Sequence, residues 1–561
     1  MFIQPCSLGK KILIFLFIPV LILIIWNSCE NSGQSNKNAV SEIASYSGEK
    51  LAHIYCAGCH LYTEPGMLPK KIWKNNIFPA MGPFMGIYSH RGVNYSTLGL
   101  LDPINKDQYP LKASLDSKSW QKMMDFYVSK APDSLLDFPF PSPLDTISET
   151  PFRPVLVKLP NMGPKATSLV KIDAPNHRFF WGNALTNNLM WMNWNKPKIQ
   201  FANLPSSPVS LEKNSIGKDG IDVTCIGFLG PSDRPRGSLV ELDLDRISKI
   251  TLLKEIQKPS DKRFGSESTP SKLVNSFENK NEVMKEVFGK LPRPVQILKG
   301  DFDRDGLEDY LVCGFGHLKG SLFWMRNTGK GYEKKILRNT PGAIHAIIED
   351  VNHDGLPDIW VLFAQSKEGL SLFMNKGNGI FEEKKILQFP PIQGSSSFEL
   401  ADMNGDGLED IIYTCGDNAD YSPILKNFHG VYIFTNQGNN QFNQSYFYPV
   451  HGCYKAVVAD FNKDGKPDLV TISYFADYKN KPSESLIFFK GLGDLHFSTT
   501  RIAGYNFGRW LTMDLGDING DGYPDLILGN FAVGPSKADH KIKTGWNLGP
   551  PILILENMLK E

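Results

Sequence analysis

The sequence predicts a multidomain chain in which a small all-α domain precedes an all-β propeller of seven blades. Three observations lead there. Apolar residues recur at helical spacing near residues 48–55 and 117–130. One nine-residue acidic loop recurs five times, its starting positions 49, 52, 58 and 57 residues apart. Each copy runs into a β-branched segment, and most are followed by a second strand–turn–strand pattern, which makes one four-stranded blade per repeat.

At 561 residues the chain has room for several domains or one large array. Its apolar content of 41% and charged content of 21% are those of a globular protein. A net charge of +1 with no basic run argues against a nucleic-acid partner.

The chain opens with Lys10 and Lys11, an apolar run from Ile12 to Trp26, and then Asn27-Ser28-Cys29. A basic start, a short apolar core and a small residue before the break are the parts of a secretory signal, assigned here to residues 1–28. Cys29 after Ser28 resembles the lipobox of bacterial lipoproteins, a resemblance that implies lipidation of Cys29 and a membrane anchor. An uncleaved anchor is the alternative, since the run falls just short of a full span. In both cases the bulk of the chain is exported to the bacterial cell envelope, on the periplasmic or outer-surface side. Residues 29–41, rich in Ser and Asn, read as a flexible tether.

Residues 42–131 read as the small helical domain. Gly48, Leu51, Ile54 and Tyr55 lead into Cys56-Ala57-Gly58-Cys59-His60. Two thiols three apart can each add across a haem vinyl group, and His60 then offers its imidazole to the iron. A zinc half-site would need a second Cys/His pair at short spacing, and none follows. A thioredoxin-like pair would sit in a βαβ setting, whereas residues 49–55 read as helix. The second helix, residues 117–130, carries Trp120, Met123, Met124, Phe126 and Tyr127, and Pro132 ends it. The motif and helix order resemble a class I cytochrome c domain over about ninety residues. That resemblance implies one covalent haem c, attached outside the cytoplasm, with the two helices crossing and a Met-bearing loop between them. Met81, held among Phe78, Pro79, Gly82 and Pro83, is the expected sixth ligand, with Met85 and then His90 as alternatives. Only one such motif is present, so a single haem is expected.

Pro132, Pro139, Pro141, Pro143 and Pro151 crowd residues 132–151, blocking helix and central strand alike and marking a stiff linker. The propeller is expected over 152–561. Its acidic loops supply Asp301, Asp303, Asp305 and Asp309; Asp350, Asn352, Asp354 and Asp358; Asp402, Asn404, Asp406 and Asp410; Asp460, Asn462, Asp464 and Asp468; and Asp517, Asn519, Asp521 and Asp525. So many carboxylates in nine residues repel one another unless a hard cation sits among them. Oxygen ligands at positions 1, 3, 5 and 9 with Gly at 6 suit Ca²⁺. An EF-hand is excluded because Val312, Val361, Tyr413, Thr471 and Leu528 stand where its twelfth-position Glu belongs, and because the flanks are strands. The later Asn-x-Gly turns at Asn327, Asn375 and Asn436 are hairpin chemistry.

These repeats resemble the FG-GAP/VCBS family of integrin head propellers and bacterial surface proteins. The resemblance implies that each loop joins the first two strands of a blade and holds Ca²⁺, about five ions in all, as staples inside the blades. Two weaker blades are expected before the loops, around residues 169–192 and 222–242, with 259–290 as an insertion loop and residues 552–555 as a last strand. Two and five make seven; six and eight are the alternatives. Cys225 with Cys313, and Cys415 with Cys453, either bridge neighbouring blades or stay as buried thiols. His345, Lys455 and Arg509 are candidates to line the central channel.

The function expected is an exported, membrane-anchored mono-haem cytochrome for electron transfer, whose propeller docks a redox partner protein or envelope complex. An oxidoreductase with substrate in the propeller channel is the second reading, weakened by the lack of a Ser/His/Asp constellation. An adhesion or assembly module is the third.

Overall fold

The computed structural model describes residues 45–95, 109–136, 150–157, 159, 163–214, 219–247, 283–419 and 421–559. The signal segment, Cys29, the tether up to residue 41 and most of the Pro-rich linker lie outside the described residues. Of the described residues, 45–58, 64–95 and 110–133 form a helical unit, and 59–63, 109 and those from Ser134 on group with a β unit.

In the helical unit, helix α1 (Gly48–Tyr55) begins where the Ser47 hydroxyl accepts the Lys50 N–H. Helix α2 (Ser117–Lys130) begins at Asp116, whose carboxylate accepts the N–H groups of Lys118 and Ser119. Both are N-caps that satisfy donors the first turn leaves open. The helices cross at Gly48: a Cβ there would lie 2.1 Å from the Lys122 carbonyl oxygen and 2.8 Å from the Phe126 Cβ. Only a residue without a side chain permits that approach. Leu51, Ala52, Trp120, Met123 and Tyr127 are buried, whereas Ile54, expected on the same face, is 47% exposed. Trp120 meets Phe78 edge-on at 5.1 Å and Tyr127 lies 4.3 Å from Trp73. Between the helices the chain makes an unbroken helical run from Lys70 to Met81, widened to a π-helix over Trp73–Ile77, then a short turn and one hairpin, Ser89–His90 against Val93–Asn94, so the unit is helical but not purely so.

The β unit is a seven-bladed propeller. Taking the strands of each blade as A to D from the inside out, blade I is Thr167–Asp173, Arg178–Asn183, Asn188–Asn193 and Lys196–Asn203. Blade II is Pro208–Asn214, Gly220–Cys225, Gly237–Asp243 and Met284–Leu291. Blade III is Pro294–Gly300, Asp309–Gly314, Ser321–Asn327 and Tyr332–Arg338. Blade IV is Ala343–Glu349, Asp358–Phe363, Gly369–Asn375 and Phe381–Gln388. Blade V is Ser395–Ala401, Asp410–Cys415, Gly430–Asn436 and Phe442–Pro449. Blade VI is Cys453–Ala459, Asp468–Ser473, Leu486–Gly493 and His496–Arg501. Blade VII is Trp510–Gly516, Asp525–Asn530 and Ile552–Asn557, completed by the first strand of the unit, Phe152–Val155.

Ile552–Asn557 is the last strand, as expected, and Phe152–Val155 lies outside it as strand D. The polar stretch taken as insertion up to Lys290 instead ends in strand D of blade II, whose Lys285 pairs with Glu241. Closing the ring with a strand from the other end of the chain removes the open edge that a linear array of blades would leave.

Burial explains the strand pattern. Every described residue of strand B is buried in all seven blades, because both faces of that strand meet a neighbour. Strand D faces solvent and reads polar, as in Tyr332–Arg338. Among the described residues, seven clusters of the hydrophobic core each lie between two adjacent blades, and two smaller ones gather around Tyr474 with Phe531 and Tyr478 with Trp546. Strand A shifts register against strand B between its first and third residues in every blade, a repeated bulge that bends the innermost strand.

Candidate functional site

The five acidic loops fill one position in the architecture, the A–B connection of blades III to VII. Their carboxylates first hold the loop itself. The first Asp accepts the N–H groups of residues five and six; for Asp350 these are Asp354 at 3.1 Å and Gly355 at 2.7 Å. The fifth Asp accepts the N–H of residue seven, as Asp406 does from Leu408 at 2.8 Å. The sixth residue, Gly in all five loops, has φ between 79° and 84°. The fourth residue is also left-handed in every loop, through Arg304, His353, Gly405, Lys463 and Gly520. Sequence reading passed over that feature, since three of the five residues are not Gly.

The ninth Asp has a further task. Asp309, Asp358, Asp410, Asp468 and Asp525 are all buried, and each carboxylate ties two chain segments together. One oxygen accepts the N–H of the second loop residue, and the other accepts an N–H near the end of strand C. For Asp410 these partners are Met403 at 3.0 Å and Asn436 at 2.9 Å. For Asp468 they are Phe461 at 3.1 Å and Gly491 at 2.7 Å. Burial nevertheless raises all five carboxyls above their ordinary range, those of Asp468 and Asp525 to about 6, and neighbouring loop carboxylates add to the effect. A positive charge at the loop would relieve that cost.

Strand C contributes residues that sequence reading used only as turn formers. The Asn375 amide donates to the Phe302 carbonyl at 2.9 Å, and the Asn557 amide to the Phe461 carbonyl at 2.8 Å, so each pins the acidic loop of the preceding blade. Arg304 likewise reaches the Asp354 and Gly355 carbonyls of the next loop. The loops are therefore braced to one another as well as within themselves. In loop III, ligand atoms of Asp301, Asp303 and Asp309 lie within 4.8 Å of one another.

After α1, Cys56 to Cys59 form a turn, and no disulfide joins the described cysteines. The Cys56 Sγ lies 3.9 Å from the Met123 Sδ on α2. The His60 Nδ1 lies 2.9 Å from the Leu61 carbonyl oxygen. As the Nδ1–H tautomer it donates there, and its Nε2 lone pair stays available. Met81 ends a short helical turn, Phe78–Met81, and Met85 ends the next, Pro83–Met85; both are half-buried. His90 differs: its Nε2 lies 2.6 Å from the Gln121 Oε1 and its Nδ1 3.4 Å from the Ser117 Oγ.

Other candidate residues separate clearly. Cys225, Cys313, Cys415 and Cys453 are buried thiols, not bridges; burial pushes the first three up to about 12 and raises the fourth as well. Arg509 does not line the channel. It is 1% exposed, stacks 3.6 Å over the Tyr474 ring and donates to the Tyr474 and Pro535 carbonyls. His345 packs edge-on against Phe398 of the next blade at 5.2 Å. Burial, with the Lys455 charge, lowers its pKa to about 3 and keeps it neutral. The innermost strands also carry Lys171, Glu212, Glu399 and Asp514. Asp514, Glu212 and Glu399 all hold Lys171 in its charged form.

A family described as an FG-GAP-like repeat matches residues 301–361 and 350–413, and the FG-GAP repeat itself matches residues 454–486. These segments are FG-GAP repeats. The acidic loop of blade VII, beyond those matches, has the same internal hydrogen bonds as the FG-GAP loops. The chain is similar to a T-cell immunomodulatory protein homolog of Plasmodium falciparum (isolate 3D7), 27% identical over 139 residues, which is 23% of this chain and 19% of the relative. It is similar to the Plasmodium yoelii yoelii homolog at 27% over 143 residues, 23% of this chain and 20% of that one. The chain thus spans about a fifth of the length of these relatives. Among solved structures, an ancestral GH74 enzyme is 9% identical, with 72% of this chain and 50% of that one covered at a TM-score of 0.42. Luciferin-regenerating enzyme is 11% identical, covering 57% of this chain and 88% of its own at a TM-score of 0.31. Among the described residues, no helix is long and apolar enough to cross a membrane.

Proposed function

We propose that this chain is an exported, lipid-anchored mono-haem c-type cytochrome whose calcium-braced propeller docks a redox partner in the bacterial envelope. The observation that carries the reading is the Cys56–His60 turn, which follows the last residue of α1, the helix whose first residue, Gly48, packs against α2. The donor chemistry fits haem: Cys56 and Cys59 would hold it through thioethers, and His60, oriented by its own Nδ1–H, would present Nε2 to the iron. Haem, when bound, supplies reversible one-electron transfer. Met81 would supply the remaining protein ligand to the iron, with Met85 as the alternative; the two ring contacts of His90 weigh against it. Cys29 would carry the lipid.

Calcium in the acidic loops is supported by the Asp residues at positions 1, 5 and 9 of every loop and by the raised ninth-position carboxyls, which a cation would return toward their ionised form. Its role would be to stabilise the docking surface, not to take part in chemistry.

The test is expression with a cytochrome c maturation system, followed by denaturing electrophoresis with haem staining. A haem band in the wild type that disappears in Cys56→Ser and Cys59→Ser is expected; a wild type without covalent haem refutes the cytochrome reading. Thermal melts with calcium or with a chelator test the loops separately, and equal melting temperatures would sink the calcium reading alone.

A further inference from the structure

Loop III departs from the other four loops at two residues, and those residues meet. Its third position is Asp303, where loops IV to VII carry Asn352, Asn404, Asn462 and Asn519. The second departure is Arg326, the strand C residue just before the one whose N–H meets the ninth Asp. Its guanidinium pairs through Nε with the Asp303 Oδ2, and its Nη2 lies 3.3 Å from the Asp305 Oδ2. Blades IV to VII have Met374, Thr435, Lys490 and Glu556 at that place.

In loops IV to VII the fifth-position carboxylate instead takes a neutral donor, the amide of the third residue. The separations are 3.0 Å from Asn352 to Asp354, 2.8 Å from Asn404 to Asp406, and 3.0 Å from both Asn462 to Asp464 and Asn519 to Asp521. A hard cation displaces such an amide readily. A guanidinium spanning two carboxylates is already a positive charge held by charge-assisted bonds, and it takes one oxygen each from Asp303 and Asp305, two of the residues Ca²⁺ would use.

We propose that Arg326 is the resident cation of loop III, serving there as calcium serves in loops IV to VII, so that the propeller takes four calcium ions and not five. This inference rests on the calcium reading above. The other Asp303 oxygen is buried without a hydrogen-bond partner, and Asp301, Asp303 and Asp309 have ligand atoms within 4.8 Å of one another, so removing Arg326 leaves loop III with acidic ligands and no resident positive charge across Asp303 and Asp305.

The test is equilibrium dialysis of the full chain against calcium, with the bound metal counted by atomic emission. Four ions per chain are expected for the wild type. Five are expected for Arg326→Met, which installs the blade IV residue, and for Arg326→Gln, with unchanged circular dichroism showing that the fold is kept. Five ions in the wild type overturn the inference even if both variants fail to fold. Four ions in the wild type and in a folded variant remove Arg326 as the cause. A wild type that binds none overturns the calcium reading itself, and this inference with it.

Discussion

Replacing Asp410 tests whether the ninth carboxylate of the acidic loops is a hydrogen-bonded tie in its own right. Its two oxygens accept the Met403 N–H at 3.0 Å and the Asn436 N–H at 2.9 Å, and the residue is fully buried. In Asp410→Asn, one of those donors faces an amide NH₂ and loses its acceptor, which costs about 1–3 kcal/mol for a buried group. Burial already raises the Asp410 carboxyl, so removing the charge returns part of that cost and leaves a net loss of about 1–2 kcal/mol. Asp410→Ala strands both donors and opens a void, and it should cost roughly twice as much. Urea unfolding followed by tryptophan fluorescence in excess chelator measures both variants without any metal contribution. Stabilities within about 0.5 kcal/mol of wild type, the scatter of ordinary surface substitutions, would refute the tie. So would an Asn variant less stable than the Ala variant. Repeating the series in calcium then separates the tie from ligation, because a ligand role adds a loss seen only with metal present.

Gly48→Val should dismantle the α1–α2 crossing, since a Cβ 2.1 Å from the Lys122 carbonyl oxygen forces a backbone shift that the small gain in helix propensity does not offset. Limited proteolysis should then cut within residues 45–133 while the propeller melts as before, and an uncut unit would contradict the crossing. His345 is neutral in the fold with its pKa near 3, against an ordinary 6.5. The unfolded chain therefore binds more protons between those values, so stability should fall as pH drops from about 6.5 toward 3. His345→Gln should flatten that acid limb by up to a few kcal/mol, and an unchanged slope would show that His345 does not govern it. Phe152→Ala should cost about 3–5 kcal/mol, because Phe152 packs edge-on against Phe461 at 5.1 Å and Phe488 at 5.8 Å where the ring closes. A loss below about 1 kcal/mol in urea unfolding would show that closure does not depend on this contact.

Much of the propeller was legible in the sequence because its signals are local. The spacing of Asp350, Asn352, Asp354 and Asp358 encodes a loop within nine residues. The apolar run Ile359–Phe363 marks a strand buried on both faces, and Asn375 with Gly377 encodes the next turn. None of these depends on a distant partner, and five copies in a row set the blade count within one or two.

Other features depend on residues far apart in the chain. Arg153 pairs with Glu556 across the closing sheet, a contact between segments 403 residues apart that no periodicity encodes. Arg326 meets Asp303 only because strand C folds back over the loop. Whether Cys415 and Cys453 form a bridge or stay as thiols was decided by how adjacent blades pack. Arg509 precedes an innermost strand yet is buried against Tyr474. By itself, the sequence determined what each repeat is and which chemistry each loop carries, because turn geometry, strand burial and carboxylate spacing act over a few residues. Only the tertiary structure decided how the ring closes and which charges face each loop, because those contacts exist only once the blades are packed against one another.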